Sequence, residues 1–339
     1  MRASISILIC TRNGAGTLPD TLASLAATTV PPHASLELVV VDNGSTDETA
    51  RIVRETQMPF PVRYVFEERP GLSNARNTGL SAARHEILLW TDDDVLVPHD
   101  WIGPMTTPIA DGAADVVAGG VRLAPHLQRP WMEPWQAALF ASTTRLEGET
   151  LTDAVGANMA FGRHVLDDVH EFDPELKYSE ESHFVERLFH LGYRIAPAFD
   201  VEVEHHFAPS RLTHASLASA MQRLGRTQAY LHYHWRHRDG VFRQSPLRTW
   251  LRIALLRTKY ALKARTARQI APNDEGMAAW ESYYIREIAY LRQSLIEGQR
   301  PRRYPAKHAP RPTDACSPLP SNNTPPRPNK TEDRRQPAS

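Results

Sequence analysis

The first 95 residues alternate between two periods, and this alternation limits the fold more than any other feature of the chain. Ser4–Cys10, Leu36–Asp42, Val62–Phe66 and Glu86–Trp90 are short apolar runs, partly β-branched, and read as buried parallel strands. Helical stretches lie between them. Gly16–Thr28 carries Leu18, Leu22 and Leu25 on one face. Thr46–Gln57 begins beside Ser45 and Asp47, which suit a helix N-terminus, and Leu72–Arg84 is the third. Strand, helix, strand, helix predicts an α/β fold with a doubly wound, mostly parallel, Rossmann-like sheet. Such sheets collect ligands at the carboxyl ends of their strands. Cys10-Thr11, Asp42-Asn43 and Asp92-Asp93-Asp94 fall at those ends.

The pattern is more mixed from about 97 to 203. Asp115–Val121 reads as a strand. Glu180–Leu191 reads as a helix with Phe184, Val185, Leu188 and Phe189 inward, and Gly192 is placed to end it. Arg211–Trp235 and Pro246–Ala267 read as helices, with His232, His234 and His237 on a helix surface. The last 39 residues hold ten prolines and few apolar groups, so they are expected to be a disordered tail.

An apolar content of 41% allows a sizeable core, and 39 basic against 39 acidic residues give no global reason to bind nucleic acid. The two cysteines, Cys10 and Cys316, lie in unlike contexts. A disulfide framework is therefore not expected, and a cytoplasmic setting is. The N-terminus does not read as a secretory leader, and no run of about 18 uncharged apolar residues predicts a membrane span.

Three adjacent carboxylates after the strand Glu86–Trp90 repel one another. They read either as a site for a hard cation, Mg²⁺ or Mn²⁺, or as a solvated acidic turn. In an extended segment Asp92 and Asp94 would share a face. Asp42, ahead of Gly44, reads either as an acceptor for a base or ribose or as part of a Gly turn before a helix. Arg76, in the helix opened by Gly71, reads as a diphosphate ligand or a surface arginine.

Together these segments resemble a family 2 glycosyltransferase of the GT-A fold, over about residues 4–210. The resemblance rests on Ser6–Asn13, Val41–Asp47, Gly71–Gly79 and Thr91–Asp94, in matching order and spacing. It implies that 1–95 binds a nucleotide-diphosphate sugar and 96–210 the acceptor; beyond it, the helical pattern makes 211–300 an extension and the composition makes 301–339 the tail. It implies that Thr11, Asp42 and Arg76 hold the donor, with Asp93 beside them. Asp92 would contact the ribose or the metal shell, and Asp94 would bind the metal. Gly156–Phe161 resembles the acceptor-side segment, and Phe172–Leu176 the stretch before the catalytic base. Glu181 stands where that family usually has a base aspartate, with Glu180 the second choice, and His183 replaces a later acidic residue. His205 resembles a histidine that approaches the metal or the leaving diphosphate, with His206 its rival.

The implied reaction is an inverting transfer to a hydroxyl of a glycan or lipid-linked acceptor, in polysaccharide or cell-surface glycan synthesis. A sugar nucleotidyltransferase and a non-catalytic nucleotide- or glycan-binding module with a degenerate site are the alternatives. Residues 243–270 hold eight basic residues and no acidic one, with Leu247, Leu251, Leu255 and Leu262 on one side. They read either as a basic amphipathic helix on the inner face of the plasma membrane or as a helix packed on the protein.

Overall fold

The computed structural model describes residues 3–143, 154–267 and 270–305. The chain divides into two compact units, Met1–Ala208 and Pro209–Ser339.

In the first unit the strands are β1 (Ser4–Thr11), β2 (Ser35–Asp42), β3 (Val62–Phe66), β4 (Ile87–Asp92), β5 (Val95–Leu96), β6 (Val116–Leu123), β7 (Asn158–Gly162) and β8 (Ile195–His205). The helices are α1 (Leu18–Ala26), α2 (Thr49–Glu55), α3 (Leu72–Ala82), α4 (Ile102–Ala110), α5 (Pro134–Ala138) and α6 (Glu180–His190). The strands form one mixed, mostly parallel sheet in the order β3-β2-β1-β4-β7-β6-β8-β5. β1 to β4 are mutually parallel, as the sequence pattern predicts. β7 runs antiparallel to both β4 and β6. Apolar side chains cover both faces. Ile7, Ile9, Leu38, Val40 and Leu89 face α1 and α4, while Leu8, Val39, Val41 and Trp90 face α3 and α6. That double burial is why these strands show continuous apolar runs instead of alternation.

Two local expectations need correction. α2 begins at Thr49, not Thr46. Residues 45–47 are instead held by the loop after β1. The Asn13 N–H donates to Ser45 Oγ, the Thr46 N–H to Asn13 Oδ1, and the Ala15 N–H to Asp47 Oδ2. Asp47 still accepts from the Thr49 N–H at 3.1 Å, whereas Ser45 does not cap the helix. The extended segment also ends at Asp92, because the chain turns at Asp93-Asp94 before β5. Asp92 and Asp94 therefore do not share a strand face. At the end of α6, Gly192 takes φ +89°, as its placement predicts. Phe184, Val185 and Leu188 of that helix are buried, and Phe189 only half so.

The second unit contains α7 (His214–His234), α8 (Pro246–Thr266) and α9 (Ala279–Glu297). α9 packs on α7 and α8. His234 is not on a helix surface. It is 3% exposed, and its Nε2 lies 3.0 Å from Glu297, itself buried, on α9. His232 is half-buried beside Tyr290, and desolvation, with Arg238 and Arg236 nearby, pushes its pKa down to about 3. The partners lie some 60 residues away in sequence, so local spacing could not show them. No helix among the described residues is long and apolar enough to cross a membrane. The tail expected to be disordered lies outside the described residues from 306 onward, as does Cys316.

Candidate active site

The in-register parallel pairing of β1, β2 and β4 brings the polar strand ends together. Thr11 pairs with Asp42 across one side of β1, and Cys10 with Asp92 across the other. The Thr11 hydroxyl donates to Asp93. Asp42 is buried, with Oδ1 accepting the Ser45 N–H at 2.8 Å and Oδ2 the Tyr64 hydroxyl at 2.8 Å. Burial and the Asp42 bond push the Tyr64 phenol up to about 12. The Asn43 side chain pins the next loop. Its Nδ2 donates to the carbonyls of Glu67 and Arg69, and its Oδ1 accepts the Gly71 N–H. Tyr64 belongs to no motif of the sequence. Its only signal there was a phenol in β3, two residues before the strand end.

Gly71, at φ +127°, opens α3, which carries Arg76 into the protein. Arg76 is not a surface arginine: it is 3% exposed. Its Nη1 lies 2.6 Å from Glu180 Oε1 and 3.1 Å from Glu181 Oε2, and its Nη2 lies 4.0 Å from Asp92 Oδ1. Burial alone would lower its pKa, but the attraction of Glu180, Glu181 and Asp92 outweighs burial and raises it. A Cβ at Gly156 would overlap the guanidinium, so the glycine leaves room for this arginine. Asn77, one residue further along α3, clamps the loop before α6. Its Nδ2 donates to the Phe172 carbonyl at 2.9 Å, and its Oδ1 accepts the Phe172 N–H at 2.8 Å. Ser179, at φ +56°, then turns the chain so that the first turn of α6 presents Glu180 and Glu181 to Arg76. A left-handed non-glycine at this point is a strained position of the kind that clusters at functional sites.

Glu180 is buried, while the Glu181 side chain keeps 21% of its surface exposed. Desolvation, then repulsion from Glu181, pushes Glu180 up to about 7. Desolvation, then the neighbouring carboxylates beyond the Thr11 bond, pushes Asp93 up to about 7. Asp92 is also raised, chiefly by desolvation, against the pull of Arg76. Burial pushes the Cys10 thiol up, so it is no thiolate nucleophile. Three carboxylates, Glu180, Glu181 and Asp92, thus share one guanidinium, while Asp93 and Asp94 crowd Asp92 from the other side, and protons or a cation would stabilise them.

His205 supplies the other side. Its Nδ1 lies 2.8 Å from the Phe140 carbonyl oxygen, so Nδ1 carries a proton and donates it. Its Nε2 then faces Asp94 Oδ1 at 3.1 Å. Either an imidazolium pairs with the carboxylate, or a neutral ring and the carboxylate present lone pairs to one cation. The second arrangement, Nδ1–H on a carbonyl with Nε2 toward the ion, is usual for metal-binding histidines. His206 turns elsewhere: its Nε2 lies 2.7 Å from Glu204, and its backbone N–H donates to the Asp94 carbonyl. Among the described residues no three His, Cys, Asp or Glu side chains converge as a ready-made metal cluster. The donor chemistry and the tautomer of His205 nevertheless fit a divalent cation. Asp94 and His205 would hold it, with Asp92 alongside.

Asn158, in the acceptor-side segment, is fully buried and braces the sheet. Its Nδ2 donates to the carbonyls of Gly120 and Val201, and its Oδ1 accepts the Trp101 indole N–H.

An α/β sheet with acidic strand ends of this kind, and with antiparallel β7 inserted beside β4, defines the GT-A class of nucleotide-sugar enzyme folds. Residues 6–169 match the family described as glycosyl transferase family 2. The glycosyltransferase AglE of Haloferax volcanii is 26% identical over 200 residues, 58% of this chain and 65% of that protein. The succinoglycan biosynthesis protein ExoM of Rhizobium meliloti is 35% identical over 107 residues, 31% of this chain and 35% of that protein. The chain therefore spans less than two thirds of either relative. Among solved structures, the mannosyltransferase PcManGT of Pyrobaculum calidifontis shares the fold with a TM-score of 0.56 at 20% identity, over 88% of this chain and 87% of that one. S. aureus TarS 1–349 does so with a TM-score of 0.50 at 19% identity, over 89% and 93%. Over residues 6–169 the chain belongs to glycosyl transferase family 2, and its first unit has a GT-A-like fold.

Proposed function

We propose that the protein transfers a sugar from a nucleotide-diphosphate sugar to a hydroxyl of a glycan or lipid-linked acceptor, with inversion. The observation that carries this reading is the Arg76 guanidinium bridging Glu180 and Glu181 beside Asp92. Of the two glutamates, Glu181 is the more accessible to an acceptor, and its second role as an ion-pair partner of Arg76 fixes its position. Glu181 is the general base, accepting the proton of the attacking hydroxyl. Glu180, buried and driven toward neutrality, holds Arg76 in place. Thr11 and Asp42 sit where the nucleoside would lie, at adjacent positions on neighbouring strands. Mg²⁺ or Mn²⁺ on Asp94, His205 and Asp92, when bound, would offset charge developing on the departing diphosphate.

A sugar nucleotidyltransferase needs free backbone N–H groups after the first strand to cradle a triphosphate. Here the N–H groups of Asn13, Gly14 and Ala15 donate to Ser45, Thr49 and Asp47. A non-catalytic module has no use for a cluster of buried, mutually repelling carboxylates.

The complexes of PcManGT with GDP-Man and Mn²⁺ and of TarS with UDP supply the first probes. Nucleotide release from GDP- and UDP-sugars with Mn²⁺ should be measured for the wild type and for Asp94→Ala. The wild type turns over at least one donor. The variant keeps its melting curve and loses at least about a hundredfold in rate. Full activity in that variant sinks the reading.

A further inference from the structure

α8 is apolar on two opposite faces. Thr249, Ile253 and Leu256 are buried, and Ile253 and Leu256 pack against Leu291, Ile288 and Tyr284 of α9. About 180° round the helix, Leu247, Trp250, Leu251, Leu255 and Leu262 are between 52% and 68% exposed. Ten large apolar residues are exposed among the described residues, and these five of them share one face of one helix. A soluble surface does not gather so many by accident of composition.

The charges beside this stripe are of one sign. Of the basic residues on α8, Arg252 pairs with Glu287 and Lys263 lies over the Trp280 ring. Arg248, Arg257, Lys259 and Arg265 have no carboxylate partner among the described residues, and residues 243–270 contain no acidic group. Arg248 and Lys259 flank the stripe on one side and Arg257 on the other, at 100° per residue.

We propose that the outer face of α8 docks on an anionic lipid bilayer. The leucines and Trp250 would enter the interface while the arginines and lysines meet lipid phosphates. A second copy fits worse, because two such faces together bring like charges into contact with no acid to offset them. The chain's own residues 306–339 fit worse too: they hold one leucine, no other large apolar residue and an excess of basic groups. The helix lies on the surface and does not cross it, since it is too short in apolar length for a span.

The test is flotation of the full chain with vesicles of phosphatidylcholine plus phosphatidylglycerol, and with phosphatidylcholine alone. The wild type floats with the anionic vesicles and stays down with the neutral ones. Leu251→Asp with Leu255→Asp lowers partition by about tenfold per leucine. Arg257→Glu with Lys259→Glu tests the same face without touching the leucines and lowers partition by about fivefold per charge. Three results overturn the proposal. These are a wild type that stays down with both vesicles, variants that float like the wild type, and a wild-type dimer in sedimentation velocity that the leucine variant disperses. The readout needs no sugar transfer and stands apart from the proposed activity.

Discussion

The strand-end site of the first unit and the outer face of α8 depart from the usual division of polar outside and apolar inside in opposite directions. The first buries charge: Arg76, Glu180 and Asp42 each keep 3% or less of their surface. The second exposes apolar surface along one face of α8. Desolvating a carboxylate costs far more than leaving a leucine in water, so the two departures differ in how tightly the fold must hold them. The buried charges are locked by mutual pairing and by the Asn77 clamp. The exposed leucines are held only by the helix they sit on. A site for small charged molecules needs the first arrangement, and a docking face needs the second.

The sharpest way to break this contrast is Arg76→Met, which leaves Glu180 and its neighbours without their shared cation. Denaturant melts should show a loss of about 3–5 kcal/mol. A loss near zero would mean that the cluster does not depend on the arginine. Within α8, Ile253→Ala on the inner face should cost about 2–5 kcal/mol. Leu255→Ala on the outer face should stay within about 0.5 kcal/mol, and equal costs would place both faces in a core.

pH sharpens the same comparison. Glu180 is raised from 4.5 to about 7, so above the lower value the folded protein keeps a proton that the unfolded chain releases. The resulting stability is complete below about 4.5 and is lost as pH rises through about 7. Between those limits the wild type should lose on the order of 3 kcal/mol relative to Glu180→Gln, read from urea melts of both across the range. Parallel curves would remove Glu180 from the cluster's balance.

The first four strands were legible because both their faces are apolar, and a buried parallel strand writes that run directly into its sequence. α9 was not marked as a separate helix. Its inner face includes Glu281, Ser282, Arg286, Ser294 and Glu297, all buried, so its apolar period is broken by polar residues, of which Glu281 and Glu297 meet His214 and His234 of α7. The acidic positions of the site were legible as residue types at strand ends. Their pairing was not: Arg76 and Glu180 are 104 residues apart.

The sequence by itself determined the parallel half of the sheet, the family resemblance, and the positions of Asp42, Asp92–Asp94, Glu180–Glu181 and His205. Each follows from local period or motif. Only the tertiary structure decided that Arg76 is buried between two glutamates, that His205 presents Nε2 to Asp94, and that one of two apolar faces on α8 is covered. Those outcomes depend on which distant surfaces meet, and burial sets charge states and exposure only once they have met.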